Sequence, residues 1–368
     1  MKKLSKTTYK QFPQIFLIWT SLLLIGFGTL SAQKMKTRAF QLSLLPPLST
    51  SGLSSGQYNH AFTINLIAGY HGGVNGIELG GFLNTVRRDV RGAQFAGFAN
   101  IVGGSTNGLQ SAGFLNLSIE GLNGIQTAGF ANLSIQAVKG TQIAGFCNLA
   151  TGKVKGSQVA GFANLAANAV SGLQVAGFLN VTSRLEGLQI GVANVADTVA
   201  SGAPIGVFSF VRRGGLKQLD FSYGDLGMAE LSLRLGVGRF YNVFSAGYRP
   251  VGDDFFWAVG YGIGTNWDLT KRLAVNLEAM AYHLNEGAFW YNGLNELYRP
   301  QLGLEYTVFR GLSVYGGAAW NILLTDQRDE NGAYTSDWID GGLVEQSYDR
   351  VALWMRPGFQ FGLRIGLR

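Results

Sequence analysis

The sequence predicts an all-β chain, a repeat β-solenoid followed by an antiparallel β-barrel-like domain. Three observations carry that expectation. The tetrapeptide Gly-Phe-x-Asn occurs seven times, beginning at Gly81, Gly97, Gly113, Gly129, Gly145, Gly161 and Gly177, at an unbroken spacing of sixteen residues. Such regularity means one supersecondary unit stacked on itself. Apolar and polar residues alternate with a period of two, both inside the repeats and after them, which is the strand signature. Finally, 53 glycines against 7 prolines in 368 residues, without a Gly-X-Y period, make glycine the punctuation of strands and tight bends.

Residues 1–32 read as a secretory signal peptide. They hold Lys2, Lys3, Lys6 and Lys10, no acidic residue, an apolar run from Ile15 to Leu30, and the small pair Ser31-Ala32 before the expected cleavage. That run falls short of the ~20 apolar residues that a spanning helix needs. Removing the four lysines lowers the formal charge from +7 by four, to +3, so the basic balance belongs partly to the targeting segment and implies no nucleic-acid partner. Cys147, the only cysteine, has no internal disulfide partner and occupies the variable slot of Gly-Phe-x-Asn, where a small apolar residue packs. No cysteine follows the signal region to accept a lipid.

Residues 33–75 hold two strand candidates and a linker. Arg38 to Leu45 alternates until Pro46-Pro47 and a Ser/Gly-rich stretch break it, and Ala61 to Tyr70 forms the second. These strands could also join the later barrel.

Residues 76–215 form the repeat array. Its unit is Gly-x-Gln-x-Ala-Gly-Phe-x-Asn-Leu plus about six looser residues, and its last copies, at Gly191 and Gly206, are shortened as capping units are. Alternation through one copy puts Gln158, Ala160, Phe162 and Asn164 on one face, and Val159, Gly161, Ala163 and Leu165 on the other. Parallel in-register stacking would then place like side chains ~4.8 Å apart. The predicted ladder residues are Phe98, Asn100, Phe114, Asn116, Phe130, Asn132, Phe146, Asn148, Phe162, Asn164, Phe178 and Asn180, with the rings filling a narrow interior and the amides bonding one another. Seven to nine coils would make a rod roughly 35 to 45 Å long. The competing arrangement is one large antiparallel β-barrel with one strand per copy. Against it, every connector is alike, whereas an up-and-down barrel has short turns at one rim and long loops at the other.

Residues 216–368 change texture to longer, aromatic-rich alternation, with about eight strand candidates. Leu231, Leu233 and Leu235 oppose Ser232 and Arg234; Leu302, Leu304 and Tyr306 oppose Gly303 and Glu305; Phe359, Phe361, Leu363 and Ile365 oppose Gln360 and Arg364. An apolar face backed by Arg, Glu, Asn and Gly fits a barrel with lipid outside and a polar lumen. It also fits a soluble barrel with a greasy interior. The export signal and the Trp/Tyr residues near segment ends, such as Tyr248, Trp267 and Trp354, favour the outer-membrane type. Leu284 to Arg299 and Thr325 to Asp349 would be outward loops.

Catalytic chemistry finds no support. His60, His71 and His283 lack a second His, Cys or carboxylate at metal-ligand spacing, so structural roles are expected. The acidic stretch from Asp326 through Asp329 to Asp337 departs from the EF-hand order and reads as a solvated loop. Neither a nucleophile elbow nor a phosphate-binding loop occurs. No metal, cofactor or catalytic residue is therefore assigned.

The Gly-x-Gln-x-Ala-Gly-Phe-x-Asn copies, set between a signal and amphipathic strands, resemble the surface repeat-containing proteins of diderm bacteria. The resemblance rests on the repeat from Gly76 to Phe210 and on texture beyond it. It implies an exported protein of the outer membrane or cell surface and supplies no active-site residue. The expected function is a non-enzymatic scaffold or adhesin, with outer-membrane lipid and a surface ligand or cell-envelope protein as partners. The alternative is an outer-membrane pore or transport barrel.

Overall fold

The computed structural model describes residues 35–251, 254–287, 289–339 and 342–367. The signal peptide expected at residues 1–32 lies outside the described residues. The repeats form a parallel β-solenoid of about ten turns, which replaces the alternative of a single large antiparallel barrel. The chain divides into two compact units, Met1–Ala144 and Gly145–Arg368.

From Val90 onward each coil of the first unit is a seven-residue strand, a Gly-Phe bend, a four-residue strand and a polar bend. Val90–Ala96 and Ala99–Val102 make one such coil, Thr106–Ala112 and Leu115–Ser118 the next. Pairing is parallel and in register, Gln94 opposite Gln110 opposite Gln126, and Asn100 opposite Asn116 opposite Asn132. Two glycines per coil are required by contact between coils. Gly108 holds a positive φ of 134°, and a Cβ there would lie 2.0 Å from the Gly92 carbonyl oxygen; one at Gly113 would lie 2.1 Å from that of Gly97. The early strands belong to this stack and not to a barrel: Lys36–Leu45 pairs in parallel with Tyr58–Asn65, which pairs in parallel with Gly73–Gly80.

The second unit opens with Cys147–Ala150 and Val154–Ala160 and continues as three longer strands, Ala163–Ala176, Leu179–Ile190 and Ala193–Ile205, before Phe208–Val211. Their polar bends extend, so that the short strand of one coil merges with the long strand of the next.

Alternation does not run through the Gly-Phe bend. Gln158 and Ala160 point inward, and after the bend Ala163, Asn164 and Ala166 do so again, while Phe162 at the corner is 42% exposed. The rings therefore stack along an outer edge and do not fill the interior. The two bend residues, Gly161 and Phe162, both turn outward while the inward parity of Gln158 and Ala160 is kept by Asn164 and Ala166, and small Ala160 and Ala163 occupy the inner corner.

Antiparallel pairing begins at Leu216–Gly224. Successive strands Ala229–Val237, Phe240–Val251, Asp254–Asp268, Leu273–Asn285, Asn295–Phe309 and Leu312–Thr325 pair in order. The last strand, Ala352–Gly366, pairs with Leu312–Thr325 on one side and with Leu216–Gly224 on the other. The expected outward loops are shorter than read from sequence, since Leu284 and Asn295 to Arg299 lie in strands and Val344–Ser347 adds a short strand to the second.

Candidate functional site

Two amide rows run through the solenoid and donate in opposite directions. In the first unit the Asn row donates forward, Asn84 Nδ2 to Asn100 Oδ1, Asn100 to Asn116 and Asn116 to Asn132, each at 2.9 Å. The second hydrogen of each amide goes to a backbone carbonyl of the following strand, Asn100 to Ser111 at 2.8 Å and Asn116 to Thr127 at 2.7 Å. The Gln row donates backward, Gln110 Nε2 to Gln94 Oε1 at 2.8 Å, Gln126 to Gln110 at 2.6 Å and Gln142 to Gln126 at 2.9 Å. The second unit repeats both rows: Asn148 donates to Asn164, Asn164 to Asn180 and Asn180 to Asn194, while Gln189 donates to Gln174 and Gln174 to Gln158. All these amide residues are fully buried. Hydrogen-bonded amides in file polarise one another, and an interruption leaves a buried polar group unpaired.

The rows end on a residue of different chemistry. Glu78 stands in the Gln register and, as a carboxylate, can only accept: Gln94 Nε2 donates to it at 2.7 Å, Asn65 Nδ2 at 2.8 Å, and His71 Nε2 lies 2.8 Å away. Glycine occupies the Asn register one coil earlier, at Gly69, and Asn65 reaches into the space its missing side chain leaves and donates to Asn84 at 2.8 Å. His60 and His71 pack edge to face at 5.0 Å beside this terminus, both fully buried. Burial, then the neighbouring His71 and Arg38, pulls His60 down to about 4.

The predicted Phe residues come together as a stack on the outer edge. Ring centroids of Phe98 and Phe114 are 4.9 Å apart, and those of Phe114 and Phe130 4.7 Å, within 3° of parallel. In the second unit Phe146 and Phe162 lie 4.9 Å apart, and Phe162 and Phe178 5.3 Å. Cys147 is half-buried beside this stack, and burial pushes its thiol up.

The buried face of the antiparallel sheet carries four arginines and five carboxylates. Arg234 pairs with Asp220 and, at 2.9 Å, with Glu278; Arg364 pairs with Asp220 at 3.2 Å, Glu278 at 3.6 Å and Glu305. A second group joins Arg299 to Asp225 at 3.1 Å and Glu230 at 3.3 Å, and Arg356 to Asp225 at 3.4 Å. Tyr241 donates to Glu278 at 2.6 Å, Tyr282 to Glu230 at 2.8 Å and Tyr315 to Asp220 at 2.9 Å, so the carboxylates have neutral donors as well as cations. Above these, an apolar plug of Phe256, Leu284, Leu297 and Leu323 receives Trp338 and Ile339 from the loop after Thr325. A cavity of about 260 Å³ lined by Glu305, Arg364 and Ser313 opens beside the charged groups, and a gap among them, lined by Glu278, Tyr315 and Arg364, holds about 10 Å³. That is about the room of a single water. The sequence places Arg234, Glu305 and Arg364 only as members of a polar face; charged residues at period two inside apolar strands are the available signal.

The opposite face of this sheet is exposed and apolar, with Phe221, Leu231, Leu302, Leu304, Phe361 and Leu363 between 47% and 56% accessible. One patch is covered. Asn242, on that face, is buried and donates through Nδ2 to the Gly206 carbonyl at 2.6 Å, while Phe208 of the last coil meets Phe244 at 6.5 Å.

His283 sits between the Glu296 carboxylate, 2.8 Å from Nδ1, and the Tyr291 carbonyl, 3.0 Å from Nε2, and stacks on Trp290. Asp326 accepts from the Tyr291 hydroxyl at 2.7 Å, and Asp329 from the backbone N–H groups of Asn331 and Ala333. Among the described residues no group of His, Cys, Asp and Glu side chains is arranged to hold a metal. No protein-family model, curated protein or solved structure matches the chain.

Proposed function

We propose that the chain is a non-enzymatic protein of the bacterial outer membrane or cell surface, akin to the surface repeat-containing proteins. In this reading the antiparallel strands close as a membrane barrel that anchors the chain, and the solenoid is a stiff scaffold or adhesin. The single observation that carries it is the inversion of the antiparallel sheet, whose exposed face is apolar and whose buried face holds the ion pairs. Charged groups inside and Leu, Phe and Ile outside is the arrangement that lipid demands and water opposes. Strands of 13 to 15 residues, such as Leu273–Asn285 and Asn295–Phe309, exceed the ~9–11 that a tilted spanning strand needs. The paired charges and the Trp338 plug support anchoring over conduction, because their side chains occupy space that a channel would need.

The test is refolding of the full chain into lipid vesicles, with flotation and ion flux as readouts. Co-flotation without flux is expected, with partition into vesicles reduced for the double variant Leu302→Arg, Leu304→Arg, since an arginine facing the bilayer midplane costs about 2–4 kcal/mol. A folded chain that stays in solution without detergent ends the membrane reading, and single-channel conductance replaces the anchor with a pore.

A further inference from the structure

The Phe edge of the solenoid bears on the same question from an independent direction. In the second unit the stretches 157–166, 173–182, 188–196 and 203–211, which lead into and out of the Gly-Phe corner, contain no Lys, Arg, Asp or Glu. The charges lie in the connectors at the other edge, at Lys153, Lys155, Arg184, Asp197 and Arg212. There Asp197 is held below the usual carboxylate range by hydrogen bonds from Arg212 and Arg213. The corner edge itself is exposed and apolar: Phe146, Phe162, Phe178, Val192 and Val207 are 41% to 51% accessible. A row this long is larger than the scattered apolar residues of an ordinary soluble surface.

What covers the row is indicated by where it ends. Phe208, which follows the row's last member Val207 and stands in register with Ala193, packs against Phe244, and Phe244 against Tyr261 at 5.4 Å. Both partners stand on the exposed apolar face of the antiparallel sheet, not on its charged one. The Asn242 bond to Gly206 fixes the last coil to that outer wall, and with the bond to the Tyr261 hydroxyl it satisfies the amide hydrogens of a side chain that would otherwise face lipid. The corner row is thus a continuation of the apolar belt.

We propose that the Phe edge of the solenoid is a lipid-contacting surface, in which the stacked rings and flanking aliphatic side chains meet the same acyl chains as the apolar face of the antiparallel sheet, while the charged edge faces water. The inference rests on the membrane reading above. The occupant is lipid because the row runs into the lipid-facing wall and carries no polar rim of its own on that side.

The experiment uses the full chain with Cys147→Ala and one new cysteine, Phe162→Cys, Leu302→Cys or Lys153→Cys, each carrying an environment-sensitive fluorophore. The proteins are refolded into vesicles whose acyl chains bear bromine or nitroxide quenchers. Labels at 162 and 302 are expected to be quenched to a similar degree, ~2-fold or more above the label at 153. Quenching at 302 alone overturns the inference and leaves the membrane anchor standing; quenching at neither site removes both. An unquenched label at 162 in protein that sediments as a dimer assigns the edge to a second copy and overturns the inference too. If Phe162→Cys fails to refold, Val159→Cys reads the same edge with the same outcomes.

Discussion

In the solenoid the Asn and Gln rows of the interior are neutral and identical from coil to coil, whereas in the antiparallel sheet the interior polar side chains are charged and each has its own partners. Gln110 meets Gln94 and Gln126; Arg364 meets Asp220, Glu278 and Glu305. The difference follows from topology. Parallel in-register stacking sets like on like at ~4.8 Å, where two equal charges repel by about 3 kcal/mol at an effective dielectric of ~20. Only a side chain that both donates and accepts can repeat under that rule, and the amide is the natural one. Antiparallel strands bring unlike positions together, so Arg and Glu can alternate. The exception in the solenoid supports the rule, since Glu78 is a single charge at the end of its row, where it needs only to accept.

The comparison is broken most severely at Arg364. Arg364→Met should strand Asp220, Glu278 and Glu305 with too little positive charge and destabilise the fold by about 3–5 kcal/mol, read as a lowered urea midpoint in detergent micelles. A smaller effect is expected where the two regions join. Asn242→Ala leaves the Gly206 carbonyl with the longer bond from the Tyr261 hydroxyl, at 3.4 Å, and should cost about 1–2 kcal/mol, seen as faster amide exchange in the last coil and little change near Arg364. The least costly is Phe114→Ala, which removes stacking on both Phe98 and Phe130 from an exposed edge, about 1 kcal/mol in micelles.

Acidity sharpens the contrast at the His60 terminus. His60 titrates lower folded, at about 4, than its ordinary 6.5, so the unfolded chain binds the extra proton between those values. Stability from this site is therefore fully present above about pH 6.5 and is lost as pH falls toward 4. Amide exchange in Tyr58–Asn65 should accelerate over that window, and His60→Gln should flatten the dependence.

Much of this was legible in the repeat. The sixteen-residue spacing led to the parallel register, and the constancy of Asn100, Asn116 and Asn132 to the row. Phe98 and Phe114 were placed on the wrong side because period two was carried through the Gly-Phe bend, whose two residues both turn outward before the same inward parity resumes at Asn100. Asn65 could not be read as a member of the Asn row, since it fills the slot of Gly69 from another strand position. The ion pairs were hidden for a different reason: Arg364 and Asp220 are brought together only when the last antiparallel strand pairs with the first.

The most direct test of the central claim, that sameness between coils is enforced by amides that must give and receive, is an isosteric exchange. Asn116→Asp keeps the shape and loses both donated bonds, to Asn132 and to Thr127; Asn123→Asp makes the same change at an exposed position. Urea unfolding of the full chain in micelles should show Asn116→Asp destabilised by about 3 kcal/mol or more and Asn123→Asp within about 0.5 kcal/mol of the parent. Equal midpoints for the parent and both variants would contradict the account.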